Sequence, residues 1–123
     1  MATKNLKLDE LENTLQNSDI VLIDFWAEWC GPCRMFGPIF ERLSEKHPDI
    51  AFMKVNTEEE QQLAAVFGIQ SIPTLAIFRD NILIFKQPGA LPEKTLEDVI
   101  RQVKELDMDK VREEVEAQHA EAE

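Results

Sequence analysis

The chain has 123 residues, and its 24 acidic against 13 basic side chains give a formal charge of −11 at pH 7, which repels a phosphate backbone and excludes nucleic acid as a partner. Hydrophobic residues at 44% and charged residues at 30% fit one globular domain with a single core, not a disordered or fibrous chain. Only two cysteines are present, three positions apart, so a disulfide-stapled scaffold is excluded and the pair serves either reactivity or a metal.

Charges interrupt the first nineteen residues every few positions and leave no apolar stretch of the kind a secretory signal needs, so a cytoplasmic protein is expected. No segment approaches the roughly 20 apolar residues of a membrane-spanning helix, and no membrane association is expected. Leu8, Leu11 and Leu15 recur at helical spacing behind Asp9 and Glu10, which predicts a short first helix. Ile20 to Trp26 reads IVLIDFW, a β-branched and aromatic run without polar alternation, as in a strand covered on both faces. Trp26 is assigned to the core.

Trp29-Cys30-Gly31-Pro32-Cys33 follows that strand and opens a helix to Lys46, because Met35, Phe36, Ile39, Phe40 and Leu43 fall on one helical stripe and Pro32 suits the first turn. Pro38 lies inside that helix, where its ring and missing N–H are expected to bend it. Two thiols three residues apart can close a small disulfide. At a helix N-terminus, free N–H groups and the macrodipole favour the thiolate of the first. Cys30 is therefore the candidate nucleophile, and Cys33, expected to be less exposed, the thiol that resolves a mixed disulfide. The alternative is half of a tetrahedral zinc site. It needs two further ligands, and with no other cysteine, and with His47 and His119 not at ligand spacing, the ligand set is incomplete. His47 reads instead as a helix C-cap or a solvent residue.

Ala51 to Asn56 is a second strand candidate, and Glu58 to Phe67 a helix stopped by Gly68. Leu75 to Phe78 and Ile82 to Lys86 are strands at hairpin spacing around Arg79-Asp80-Asn81. Leu96, Val99, Ile100, Val103 and Leu106 form the stripe of a helix entered through Pro92 and Glu93. Glu105 to Glu123 carries eight acids and two bases, a net of −6 that leaves −5 for the first 104 residues. Beyond Leu106 the stripe thins to Val111 and Val115, compatible with the same helix running on or with a separate frayed turn. The division expected is residues 1–106 as the domain and 107–123 as an acidic extension.

Asp24-Phe25-Trp26-Ala27-Glu28-Trp29-Cys30-Gly31-Pro32-Cys33, with Pro38 beyond it, resembles the active-site segment of the thioredoxin family. Ile72-Pro73-Thr74 is similar to that family's cis-proline loop and Gly89-Ala90 to its last active-site glycine region, so the resemblance spans about residues 6 to 106. It implies a thioredoxin fold of class α/β, a central mixed β-sheet flanked by helices on both faces, with the cysteines at the C-terminal end of a central strand. It also implies reduction of protein disulfides through a Cys30-Cys33 disulfide, with no metal or organic cofactor.

By the same resemblance Asp24 is a general base toward Cys33, acting through water, and Lys54 is its partner. A carboxyl in an apolar strand is expected to be hard to ionise; the other reading is a core acid satisfied by hydrogen bonds or by Lys54. Pro73 follows a residue whose backbone is left free to pair with an extended substrate. Trp29, Gly31, Pro32, Ile72, Gly89 and Ala90 are expected to form an apolar docking face with it, ordinary packing being the other reading of Trp29. The implied partners are an NADPH-dependent thioredoxin reductase and disulfide-containing client proteins, met by a monomer. The Gly-Pro pair between the cysteines is the dipeptide of reducing members. Three features depart from the family: Asn81 where many members carry glycine, Pro88 before Gly89, and the length of the acidic tail, read as a solvated helix extension or as a partner-binding arm.

Two other classes stand beside this reading. An oxidase or isomerase would have a reduction potential well above the thioredoxin range, and a binding module using the apolar face would not need its thiols.

Overall fold

The computed structural model describes residues 2–122. Five strands, β1 (Thr3–Asn5), β2 (Ile20–Trp26), β3 (Ala51–Asn56), β4 (Thr74–Arg79) and β5 (Ile82–Pro88), form one sheet in the order β1-β3-β2-β4-β5. The first three run parallel to one another; β4 is antiparallel to β2, and β5 antiparallel to β4. The helices are α1 (Leu11–Asn17), entered through a 3₁₀ turn at Leu8–Glu10, then α2 (Gly31–Lys46), α3 (Gln61–Val66), α4 (Glu93–Glu105) and α5 (Met108–Ala122).

β2 lies at the centre, and residues 20 to 25 are buried on both faces. Alternation sends Ile20 and Leu22 to one face, where they join Phe52, Leu75 and Ile77 beneath Phe36 and Phe40 of α2 and Leu96, Ile100 and Val103 of α4. Val21, Ile23 and Phe25 go to the other face with Met53 and Val55, covered by Leu15 of α1 and Leu63 of α3. Each fully buried Phe or Leu contributes roughly 1.5–3 kcal/mol by leaving water. The same alternation puts Asp24, Trp26 and Lys54 on the α2 face, with Asp24 beside Lys54 in register.

The sequence pattern missed β1 altogether. Thr-Lys-Asn has no apolar repeat, and the strand exists through its parallel pairing with Phe52 to Lys54. α3 is shorter than its periodic pattern, because the Asn56 side chain accepts the N–H groups of Glu58 and Glu59 at 2.9 and 3.4 Å and holds those residues in a turn. At the hairpin, Asp80 and Asn81 both take positive φ, 52° and 64°, a conformation these two residue types tolerate.

The region after Leu106 is neither a continuation of α4 nor a frayed turn. Leu106 leaves the helix with ψ 139°, and Arg79 donates from Nη1 to the carbonyls of Val103, Lys104 and Leu106, answering the open C-terminus of α4. Asp107 Oδ1 then accepts the N–H groups of Asp109 and Lys110 at 3.1 and 3.3 Å and caps α5. Buried Met108 and an Arg112–Asp80 ion pair of 3.2 Å dock the helix at the hairpin.

Candidate functional site

The two cysteines stand where β2 hands the chain to α2. Cys30 is the N-cap of that helix in extended conformation, φ −90° and ψ 111°, and its Sγ accepts the N–H of Cys33 at 3.2 Å. Pro32 occupies the first turn, where its missing N–H removes nothing the helix uses. The sulfurs are joined in a disulfide with the Cα atoms 5.2 Å apart. Once that bond is reduced, the same N–H and the helix dipole meet the Cys30 sulfur and favour its thiolate. The expected difference in exposure is not seen: Cys30 is 4% and Cys33 5% exposed. The disulfide draws both sulfurs to one place, and the carbonyl oxygen of Ile72 lies 3.6 Å from Cys30 Sγ.

The loop opposite holds the cis peptide Ile72-Pro73, with Pro73 buried and Ile72 half-buried. Among the described residues Ile72 makes no backbone–backbone hydrogen bond outside the helices and strands. Pro73 accepts the N–H of Gly89 at 2.7 Å, and Gly89 has φ 102°, which side chains rarely adopt. The end of β5 is thereby tied to the proline loop. Pro88 closes this edge strand opposite Thr74, a position where proline is tolerated. Gly31, Pro32, Gly89 and Ala90 are exposed around the disulfide.

Trp29 is 68% exposed and not packed in the interior. Its indole N–H donates to Glu58 Oε1 at 2.7 Å, so the ring leans toward α3 and borders a groove with Ala64, Ala65, Ile69 and Ile72. The sequence reading overlooked Glu58. Asn56-Thr57-Glu58-Glu59 is the local signal for the turn that presents it, but nothing local pairs it with an indole 29 residues away.

Beneath the cysteines, Asp24 is 1% exposed, and neither carboxylate oxygen has a hydrogen-bond partner among the described residues. Burial raises its pKa from 3.8 to about 7, against the opposing pull of the Lys54 charge. Lys54 makes no carboxylate contact within 4 Å among the described residues; its Nζ lies 4.9 Å from the centre of the Trp26 ring. Trp26 is thus not the core residue expected. Half-buried, it lines a cleft with Cys33, Gly37, Pro38, Glu41 and Lys54. Alternation along β2 gave its face correctly, but the strand ends there and α2 covers only part of the ring.

Among the described residues there is no cluster of three or more His, Cys, Asp or Glu side chains that could hold a metal. His47 is the C-cap of α2, at the far end of that helix from the cysteines, and His119 is exposed on α5.

The geometry has close counterparts. Residues 2–102 match the family model described as Thioredoxin. The chain is 52% identical over 121 residues to putative thioredoxin 2 of Streptomyces coelicolor, covering 98% of this chain and 90% of that protein. It is 42% identical over 90 residues to thioredoxin 1 of Synechococcus elongatus, covering 72% of this chain and 84% of the relative. Among solved structures, a single-site mutant of thioredoxin from Halobacterium salinarum superposes with a TM-score of 0.78 at 36% identity, over 85% of this chain and 92% of that one. The oxidised form of mitochondrial thioredoxin 3 from Saccharomyces cerevisiae gives 0.73 at 35% identity, over 81% and 93%.

Proposed function

The chain belongs to the thioredoxin family and is a dithiol–disulfide oxidoreductase that reduces protein disulfides; from that premise we propose how its residues divide the work. The Cys30 thiolate attacks one sulfur of a client disulfide. That S–S bond breaks, a Cys30–client bond forms, and the first client sulfur leaves as a thiolate that takes a proton from water. Cys33 passes its proton to Asp24 through water and attacks the Cys30 sulfur. The second client thiolate leaves, and the Cys30-Cys33 disulfide holds the two electrons' worth of oxidation taken from the client. The observation that carries this reading is the Cys33 N–H donating to Cys30 Sγ at 3.2 Å at the N-cap of α2, which selects Cys30 as the more acidic sulfur.

An acid that titrates near neutrality, as burial makes Asp24 do, accepts a proton from Cys33 without holding it too tightly to return it, which supports its assignment as general base. Lys54 tempers its charge. Pro73 and Ile72 present a backbone edge to an extended client, and Trp29, Gly31, Pro32, Gly89 and Ala90 supply the apolar rim. Pro88 removes one backbone donor from that rim, a departure that bears on partner selectivity and not on the chemistry.

Electron transport closes the cycle: an NADPH-dependent thioredoxin reductase restores the dithiol, and the protein works as a monomer on disulfide-bearing clients. A cytoplasmic setting fits this direction, since thiols there are kept reduced. Residues 1–106 carry the activity and 107–123 are an acidic extension.

Trapping tests the division of labour. Reduced Cys33→Ser mixed with a disulfide-bonded client accumulates a covalent adduct through Cys30, whereas Cys30→Ser forms none. Adduct formation through position 33 in Cys30→Ser, at a rate matching the other variant, would overturn it.

A further inference from the structure

The cleft beside Cys33 contains more polarity than the reaction above employs. It encloses about 600 Å³ and is walled by Trp26 and Lys54 from the sheet and by Cys33 and Glu41 from α2. The indole N–H of Trp26 and one carboxylate oxygen of Glu41 are buried and make no hydrogen bond to protein among the described residues, and the same holds for both oxygens of Asp24 beneath. Buried polar atoms are rarely left so, and here a donor and an acceptor share one cleft with an ammonium. The three groups are the number of partners an ordered water usually takes.

Glu41 is held in place. Its other oxygen accepts the Thr3 hydroxyl at 2.7 Å, so β1 fixes the carboxylate against α2. Lys54 is drawn along the same wall: a Cβ on Gly37 would sit 4.0 Å from its Nζ. The remaining charges are differently engaged. Arg34 donates from Nε to the Glu28 carbonyl at 3.1 Å. Exposed Glu28 stands at the rim shared by this cleft and the groove on the other side of Lys54, which Lys7, Glu59 and Glu60 also border. Of the two carboxylates that line the cleft with Lys54, Glu28 is exposed and Glu41 has a buried oxygen, while Asp24 lies beside Lys54 in register on β2.

We propose that Glu41 is a positioning residue for the proton step at Asp24: through water bound between Glu41 Oε1, Trp26 Nε1 and Lys54 Nζ, it draws the lysine charge toward α2 and keeps that charge from being given wholly to Asp24. The proposal rests on the Asp24 reading for its functional meaning, but its test does not.

Asp24 is titrated by carboxyl ¹³C NMR in the oxidised protein, where no turnover occurs. Glu41→Gln keeps an acceptor for Thr3 and removes the charge. The expected result is an Asp24 midpoint lower by about half a unit, because the lysine charge is released to it. Glu41→Asp, which keeps the charge, leaves the midpoint near that of the wild type. Thr3→Val, which loosens β1 without touching a charge, moves the midpoint less than Glu41→Gln does. In a Lys54→Met background Glu41→Gln shifts the midpoint less, leaving only the direct relief of repulsion between the two carboxylates. An unchanged midpoint in Glu41→Gln, an equal shift in Thr3→Val, or an undiminished shift without Lys54 would each overturn the proposal. Failure of the Asp24 reading shows separately, as an Asp24→Asn variant whose turnover is unimpaired.

Discussion

Replacing Asp24 with Asn removes a buried charge and nearly preserves shape, and the consequence for stability has a sign and a size. The Asp24 pKa is about 7 in the fold against an ordinary 3.8, because burial disfavours the ionised form more than Lys54 favours it. Well below pH 4 the group is protonated in both folded and unfolded chains and costs nothing. From about pH 4 to 7 the unfolded chain gives up its proton while the folded one keeps it, so stability falls by about 1.4 kcal/mol per pH unit. Above pH 7 the full penalty, about 4 kcal/mol, is in force. Asn has no such dependence. Asp24→Asn is therefore expected to gain on the wild type steadily across that window, reaching about 4 kcal/mol at alkaline pH relative to its difference at about pH 4. Any cost of the unanswered amide is the same at every pH and cancels, as does the titration of His47, present in both proteins. Urea unfolding of the two oxidised proteins at about pH 4, 6 and 8.5 measures it. A difference that does not vary with pH would refute the reasoning, since the carboxyl would then titrate alike in the folded and unfolded chains. The same variant is expected to slow the resolving step, so that it trades activity for stability.

Trp29→Ala is expected to leave stability within about 0.5 kcal/mol, since the ring is mostly in solvent, but to raise KM for a protein disulfide roughly 5- to 30-fold by removing an aromatic anchor from the proposed docking face. Steady-state assays with a protein and with a small-molecule disulfide separate the two effects, and equal losses on both substrates would argue against docking. Truncation after Leu106 removes the buried Met108 and the exposed Arg112–Asp80 pair, at an expected cost of about 2 kcal/mol read by chemical denaturation. The Asp80 N–H donates to the carbonyl oxygen of Asp19 just before β2, while the cysteines follow the other end of that strand, so α5 docks about 20 Å from the disulfide. Reduction rates are expected to be unchanged, and a marked fall would tie the extension to the reaction.

How much was legible in the chain follows from how far each signal reaches. The run IVLIDFW announced a doubly covered strand, the stripe from Phe36 to Leu43 a helix, and Cys30 and Cys33 in its first turn a redox pair, because hydrophobic period and capping chemistry act over a few residues. The resemblance of the segment from Asp24 to Pro38 to a known family carried the fold and the reaction. What escaped were pairings across long stretches of chain. Thr3–Asn5 is a strand only because Phe52 to Lys54 lie beside it, and Thr3 meets Glu41 38 residues away. Glu58 reaches Trp29, and Trp26 opens on a cleft where α2 leaves it uncovered. Arg79 gathers three carbonyls of the α4 terminus, letting α5 begin afresh. Local chemistry, written in the order of residues, determined the elements and the reactive sulfurs. Sheet register and helix placement decided which polar side chains surround them, because those distances depend on the whole chain packing at once.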